Sequence, residues 1–255
     1  MLELDRIYNE DCLEGMKRID DGSVDCIITD LPYGVLNEQS EGGSWDSIIP
    51  LEPMWEQFKR VAKPNAAIVL FCQGMFTAKL MMSQPKMWRY NLIWKKGNRT
   101  SGFLNANRMP LRNHEDIAVF YQQLPTYNPQ MVKGAVNHGS GDKKSYKNRC
   151  YGDFNPVECD KSGMKYPISV IDFDREFDID QMFHPTQKPV DLLRYLILTY
   201  SNEGDTILDA TIGSGTTAVA ALMEKRHFIG FETNREYFDK ACKRIDDVKR
   251  NPTLF

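Results

Sequence analysis

Asp30-Leu31-Pro32-Tyr33 places a carboxylate, a backbone carbonyl, a ring that stiffens the chain and an aromatic face within four residues. A carboxylate and a neighbouring carbonyl can accept both N–H bonds of an amine whose lone pair is delocalised into a ring, such as the exocyclic amine of a nucleobase. That localises the pair toward an electrophile. An aromatic ring beside them can stack on a base that has left a duplex. The same four residues also suit an Asp-x-Pro turn with a packing tyrosine.

A second constellation lies near the other end of the chain, in Leu208-Asp209-Ala210-Thr211-Ile212-Gly213-Ser214-Gly215-Thr216-Thr217. Two glycines one residue apart let a ligand approach the backbone and leave N–H groups free at a helix start. No Lys follows the second Gly, so Walker A chemistry is excluded. A tight strand-to-helix connection would use the same residues. The next apolar run, Phe228-Ile229-Gly230-Phe231, ends at Glu232. That acid lies about 20 residues on, where sheets of this type hold ribose hydroxyls, although a charge at a helix N-terminus is the plainer reading.

The elements that position these residues alternate. Strands are expected at 24–29, 66–71, 88–94, 116–121, 206–210 and 228–232, and helices at 50–62, 75–82, 189–200, 214–225 and 234–249. Such alternation implies a mostly parallel, doubly wound α/β sheet, whose ligands bind outside the carboxyl ends of the strands. The stretch 122–182 differs. It is rich in Gly, Asn, Lys, Tyr and Pro, has no sustained period and ends in the acidic run IDFDREFDID. A structureless loop of that length is improbable in a compact domain, so a small irregular inserted subdomain is expected.

At 255 residues the chain suits one catalytic-size domain with an insertion. No apolar run approaches the roughly 18 residues of a membrane span. The start, MLELDRIYNEDC, has neither a basic nor an apolar signal segment, so a cytoplasmic protein with its six cysteines reduced is expected. The net charge of −3 hides an uneven distribution. Gln57 to His114 holds no Asp or Glu and carries +11, so the remainder sums to −14. A basic face for nucleic acid on an acidic body is one reading, and cations pointing in different directions is the other. Lys95, Lys96, Arg99, Arg108 and Arg112 are the candidate DNA contacts within this segment. No metal is expected: Cys150, Cys159 and His138 lack the spacing of a zinc site.

Asp30-Leu31-Pro32-Tyr33, Phe183-His184-Pro185-Thr186-Gln187-Lys188-Pro189 and Asp209 to Thr217 together resemble the D-P-P-Y, H-P-T-Q-K-P and D-P-F-x-G-S-G-T-T motifs of amino-directed DNA methyltransferases. Their order, catalytic motif first and glycines last, is that of the permuted β group. Trp94-Lys95-Lys96 and Arg112-Asn113-His114-Glu115 are similar to the region that follows the catalytic motif in that family. The resemblance covers nearly the whole chain. It implies a circularly permuted class I (Rossmann-like) sheet that uses S-adenosylmethionine, with residues 1–121 as the catalytic half, 122–182 reading the target sequence and 183–255 as the cofactor half.

Position by position, the resemblance implies that Asp30 and the Leu31 carbonyl hold the target amine, that Pro32 stiffens the loop and that Tyr33 stacks on the flipped base. Gly213 and Gly215 would border the methionine part of the cofactor, oriented by Asp209, and Glu232 would bind the ribose. Asp11, in Asn9-Glu10-Asp11-Cys12, would meet the adenine, with Cys12 beside it. His184, Thr186 and Lys188 would line the methionine end, with Lys188 at its carboxylate. Its partner would be duplex DNA, and the family admits a homodimer and a companion restriction endonuclease.

The departures are Leu31 for the first Pro, Ala210 and Thr211 for Pro-Phe, and Asn9 for Gly. The Pro-Phe change removes an aromatic contact to the cofactor. Asp at position 30 tilts the target toward adenine N6, where cytosine-N4 enzymes often carry Ser. Cytosine C5 chemistry is disfavoured because no Pro-Cys dipeptide supplies its nucleophile. The alternatives are cytosine-N4 methylation, methylation of RNA and an inactive DNA or cofactor binder.

Overall fold

The computed structural model describes residues 2–34, 46–135, 147–148, 152–153, 162–174 and 187–250. In chain order, the elements up to the insertion are β1 (Arg6–Tyr8), α1 (Cys12–Met16), β2 (Val24–Asp30), α2 (Leu51–Val61), β3 (Ala62–Cys72), α3 (Met75–Ser83), β4 (Trp88–Lys95) and β5 (His114–Phe120). The short strands β6 (Val132–Lys133), β7 (Lys147–Asn148), β8 (Gly152–Asp153) and β9 (Met164–Lys165) follow. The chain continues with β10 (Val170–Asp172), α4 (Val190–Tyr200), β11 (Thr206–Asp209), α5 (Thr216–Met223), β12 (His227–Phe231) and α6 (Arg235–Arg250).

Eight strands form one sheet in the order β1-β12-β11-β2-β3-β5-β4-β10. From β1 to β3 the neighbours are parallel, β5 is antiparallel to β3 and β4, and β10 lies parallel to β4. The architecture is the expected α/β one. The central strands read as continuous apolar runs because both faces are covered. On one face Cys26, Ile28, Val69 and Phe71 pack with α4, α5 and α6. On the other Ile27, Ile68 and Leu70 meet Met54, Trp55 and Phe58 of α2 and Phe76 and Leu80 of α3. The described cysteines 12, 26, 72 and 242 are free thiols.

Three features differ from the sequence expectation. β1 and α1 were not foreseen, because elements of three and five residues are too short to show a period. β3 begins at Ala62 and runs through Pro64, ahead of the start expected at 66. Its register against β2 jumps there, from Val24 facing Ala62 to Cys26 facing Ala67, and such an irregularity is where a strand tolerates proline. The insertion is narrower than 122–182. Asn128 donates to the Thr199 carbonyl of α4 at 2.8 Å, and β10 completes the main sheet. The compact inserted unit is Pro129–Ile168, with β6 antiparallel to β9 and β7 antiparallel to β8.

Candidate active site

The carboxyl ends of β2, β11 and β12 open into a cleft of about 570 Å³, within the ~300–1,000 Å³ usual for ligand sites. β2 ends on Asp30, paired in register with Phe71 of β3, and the chain then turns outward. The turn is held by Asp46, a buried carboxylate whose Oδ1 accepts from the Tyr33 and Gly34 N–H groups at 2.9 and 3.0 Å. The Tyr33 hydroxyl donates to Asp30 Oδ1 at 2.7 Å, and its ring packs on Phe76 with centroids 5.4 Å apart.

β11 delivers the glycine turn beside this loop. The Thr211 hydroxyl donates to the Asp30 carbonyl at 2.9 Å and lies 2.8 Å from the Thr29 hydroxyl. Thr211 stands where the resembling family carries Phe, so the departure that removes an aromatic contact supplies a tie between the two loops. Asp209 is buried and accepts from the Thr211 N–H at 3.1 Å. Burial pushes its carboxyl up to about 6, against the pull of the Thr217 and Thr29 hydroxyls and the Thr211 N–H. Gly213 takes φ +51° and lines the cleft. Gly215 does not line it. With φ +75° it caps α5, and a Cβ there would stand 3.2 Å from the Ala241 Cβ, so its place is in the packing of α5 on α6.

Glu232 follows β12. Its Oε2 accepts from the Gly213 N–H at 3.1 Å and its Oε1 from the Asn234 N–H at 2.7 Å, which leaves lone pairs on both oxygens for a pair of hydroxyls. Burial raises its carboxyl above the ordinary range, opposed by those N–H groups. Asp11 and Cys12 line the same end. Asp11 also caps α1, its Oδ1 accepting from Leu13 N at 2.8 Å and Glu14 N at 3.4 Å.

At the other end of the cleft four charges form a ladder. Lys188 donates to Asp30 Oδ2, stands 3.5 Å from Glu115 Oε2 and sits over the Phe71 ring at 5.1 Å. Glu115 in turn holds Lys96, which lies over Trp94 at 5.2 Å. Burial raises the Asp30 carboxyl, opposed by Lys188 and reinforced by Glu115. For Glu115 burial also raises the carboxyl, but Lys188 and Lys96 outweigh it and leave it below the ordinary value. Burial lowers the Lys188 ammonium, but Asp30 and Glu115 outweigh it and leave it above the ordinary value. Among the described residues Glu115 Oε2 and both amide atoms of Gln187 are buried with no hydrogen-bond partner, and both residues line the cleft. Buried polar atoms left in that state at a cleft wall mark groups available to a ligand.

The structure therefore brings together Asp30, Leu31, Pro32, Tyr33, Asp11, Cys12, Lys188, Asp209, Gly213 and Glu232. His184 and Thr186, like Cys150, Cys159 and His138, lie outside the described residues. Lys188 sits on Asp30 and Glu115. Lys96 is corrected. Expected as a DNA contact, it is 7% exposed and lines the cleft as the partner of Glu115, because β4 turns it inward. Lys95 pairs with Asp172 of β10 at the surface, and Arg99, Arg108 and Arg112 are exposed. Asp46, Thr29, Thr211, Glu115 and Gln187 were not foreseen as site residues. One signal was available for Glu115, the first acid after the acid-free segment.

The model of the N6/N4 DNA methylases matches residues 24–243, from β2 into α6. The chain belongs to the N6/N4 DNA methylase family. The methylase is 27% identical over 255 residues to the type II methyltransferase M.HpaI of Haemophilus parainfluenzae, covering 94% of this chain and 74% of that one. Among solved structures, M1.HpyAVI in complex with SAM superposes with a TM-score of 0.61 at 24% identity, covering 94% of this chain and 98% of that one. The cytosine-N4-specific PvuII DNA methyltransferase gives 0.65 at 14% identity, covering 96% and 91%. The methylase thus has the class I methyltransferase fold. Among its described residues no helix is long and apolar enough to cross a membrane.

Proposed function

We propose that the methylase transfers a methyl group from S-adenosylmethionine to the N6 amine of adenine in duplex DNA. The observation that carries this reading is Asp30 at the end of β2, whose main-chain carbonyl is tied by the Thr211 hydroxyl to the glycine turn of β11. In this reading an amine acceptor stands against a cofactor cradle. The residues present fit that cofactor. Glu232 keeps lone pairs for ribose hydroxyls, Gly213 leaves backbone open to the cleft, and the volume suits a nucleoside with an amino-acid tail. When bound, the cofactor supplies the electrophilic methyl group.

Asp30 and the Leu31 carbonyl accept the two N–H bonds of the target amine and turn its lone pair toward the methyl. In the free protein Asp30 Oδ1 accepts from Tyr33 and Oδ2 from Lys188. The incoming amine competes with Lys188 for Oδ2, and Glu115 Oε2, a buried oxygen 3.5 Å from the ammonium with no hydrogen bond among the described residues, is the partner toward which Lys188 shifts. After transfer the nitrogen sheds one proton, and the Asp30 carboxylate, which burial favours in its protonated form, is placed to take it. Tyr33 stacks on the base, and the inserted unit Pro129–Ile168 lies within the stretch assigned to reading the target sequence. Asp at position 30 favours adenine over cytosine in this reading.

The test is digestion of DNA methylated by the purified protein and identification of the product nucleoside by mass spectrometry. N6-methyladenine is expected, and N4-methylcytosine overturns the adenine assignment. Single-molecule sequencing of DNA from cells expressing the chain maps the target site.

A further inference from the structure

The connection from β4 to β5 leaves the sheet at the cleft wall and carries an apolar tip. Its stem is a two-way bridge: the Ser101 N–H donates to the Arg112 carbonyl at 2.7 Å and the Arg112 N–H to the Ser101 carbonyl at 3.1 Å. Ser101 lines the cleft, so the stem is rooted in the active site. Beyond it Gly102, at φ +86°, opens a single 3₁₀ turn, Phe103–Asn105. Phe103 and Leu104 on that turn are 76% and 82% exposed, and Met109 further along is 56% exposed. Adjacent large apolar side chains held out in water at a loop tip mark a surface with a partner.

The charge around the tip identifies that partner. Arg99, Arg108 and Arg112 are exposed on the same connection, and the chain holds no acid from Gln57 to His114. An apolar point on a connection that carries three exposed arginines complements a polymer with an anionic exterior and an apolar stacked interior, which is duplex nucleic acid. Proteins that open a duplex commonly insert apolar side chains between base steps while cations hold the backbone. The stem of the loop joins the tip to the cleft that receives the extruded base in the proposed reaction.

We infer that Phe103 and Leu104 form a wedge that enters the base stack at the step vacated by the target base, with Arg99, Arg108 and Arg112 holding the surrounding phosphates. The inference rests on the proposed DNA methylation and adds how the duplex is opened for it. The arginines give affinity without sequence preference, whereas the apolar tip lowers the cost of leaving a gap in the stack.

The experiment compares methyl transfer to a duplex carrying the mapped site with transfer to the same duplex in which an abasic position faces the target base. The double variant Phe103→Ser/Leu104→Ser is expected to lose at least about tenfold on the paired duplex and to regain the wild-type rate on the abasic one, where no pair has to be broken. Leu104→Phe, which keeps an apolar point, is expected to retain the paired-duplex rate. Arg112→Ala is expected to weaken binding to both duplexes. Equal loss by the double variant on both duplexes, or no loss on either, overturns the wedge while leaving the methylation reading intact. A wild type that is a dimer by light scattering and becomes a monomer on the double substitution assigns the tip to a second copy of the chain and overturns the wedge. A wild type that methylates neither duplex overturns the methylation reading and the wedge with it.

Discussion

Lys96 and Arg99 are three residues apart in the same acid-free segment, and their surroundings have little in common. Lys96 is turned into the cleft, where it pairs with Glu115 in the ladder that continues through Lys188 to Asp30. Arg99, with Arg108 and Arg112, faces solvent on the β4–β5 connection. A charge in the ladder is desolvated, so its partners decide whether the site holds together, and bulk salt screens it little. A charge on the connection keeps its hydration, adds little to stability and can exchange counterions for phosphate. A run of cations in a sequence is therefore two populations, separated by the direction in which each strand end turns.

The sharpest way to break this contrast is at Glu115. Glu115→Ala leaves Lys96 and Lys188 as neighbouring cations without the acid between them, and removing one partner from a buried ionic group typically costs about 3–5 kcal/mol. Denaturant unfolding of the purified variant reads this loss directly. If Glu115→Ala unfolds at the wild-type midpoint, the ladder is not holding the cleft, and its charges belong with the exposed ones. Asp30→Asn is the next largest effect. It keeps the shape of the loop but replaces one acceptor oxygen with a donor, and methyl transfer is expected to fall by about 10²–10³. Cofactor binding by calorimetry is expected to change far less, because the proposed reaction assigns Asp30 to the amine. An equal fall in both would place Asp30 in the cofactor site.

How much of this was legible follows the same division. The central strands and the long helices were readable because a buried parallel strand is a continuous apolar run and an amphipathic helix shows its period. β1, α1 and β10 were not, since elements of three to five residues at a sheet edge carry too few side chains to show one. The Asp30–Tyr33 loop and the glycine turn, which the structure brings to one cleft, were readable from residue types at fixed spacing. Glu115, Gln187 and Asp46 were not singled out as site residues, because each acts through a partner distant in sequence: Lys188 for Glu115, and the Tyr33 and Gly34 N–H groups for Asp46. Lys96 was misplaced because charge alone does not say which way a side chain points. Thr211 counted only as the absence of an aromatic ring, since its bond to the Asp30 carbonyl joins residues 181 positions apart.

Asp209 tests the buried population by pH. Its carboxyl is raised to about 6 by burial, so the free protein holds a proton there, over a pH range in which the unfolded chain has already lost it. Folding stability contributed by this group is therefore present at low pH and lost as pH rises from its ordinary value of 3.8 through about 6. Cofactor binding has the opposite sign if the ionised carboxylate orients the ligand. Affinity is expected to be flat above about 6 and to fall toward tenfold per pH unit below it. Asp209→Asn should flatten that profile over the same range. A wild-type profile that does not bend near 6 removes the ionised Asp209 from the cofactor site.

The smallest effects belong to the exposed population, and they separate from the rest by their salt dependence. Each of Arg99→Gln, Arg108→Gln and Arg112→Gln is expected to weaken binding by a similar factor on any DNA sequence. Each should lower the slope of log affinity against log salt by about 0.9, the increment that one neutralised phosphate adds on duplex DNA. None should move the unfolding midpoint appreciably, since these side chains face solvent. Lys96→Gln is the control from the buried side. It should lower the midpoint through Glu115 and leave the salt slope near that of the wild type. If Lys96→Gln flattens the slope as the arginine variants do, Lys96 reaches the phosphate backbone in the complex, and the division between the two sets of cations fails at that residue.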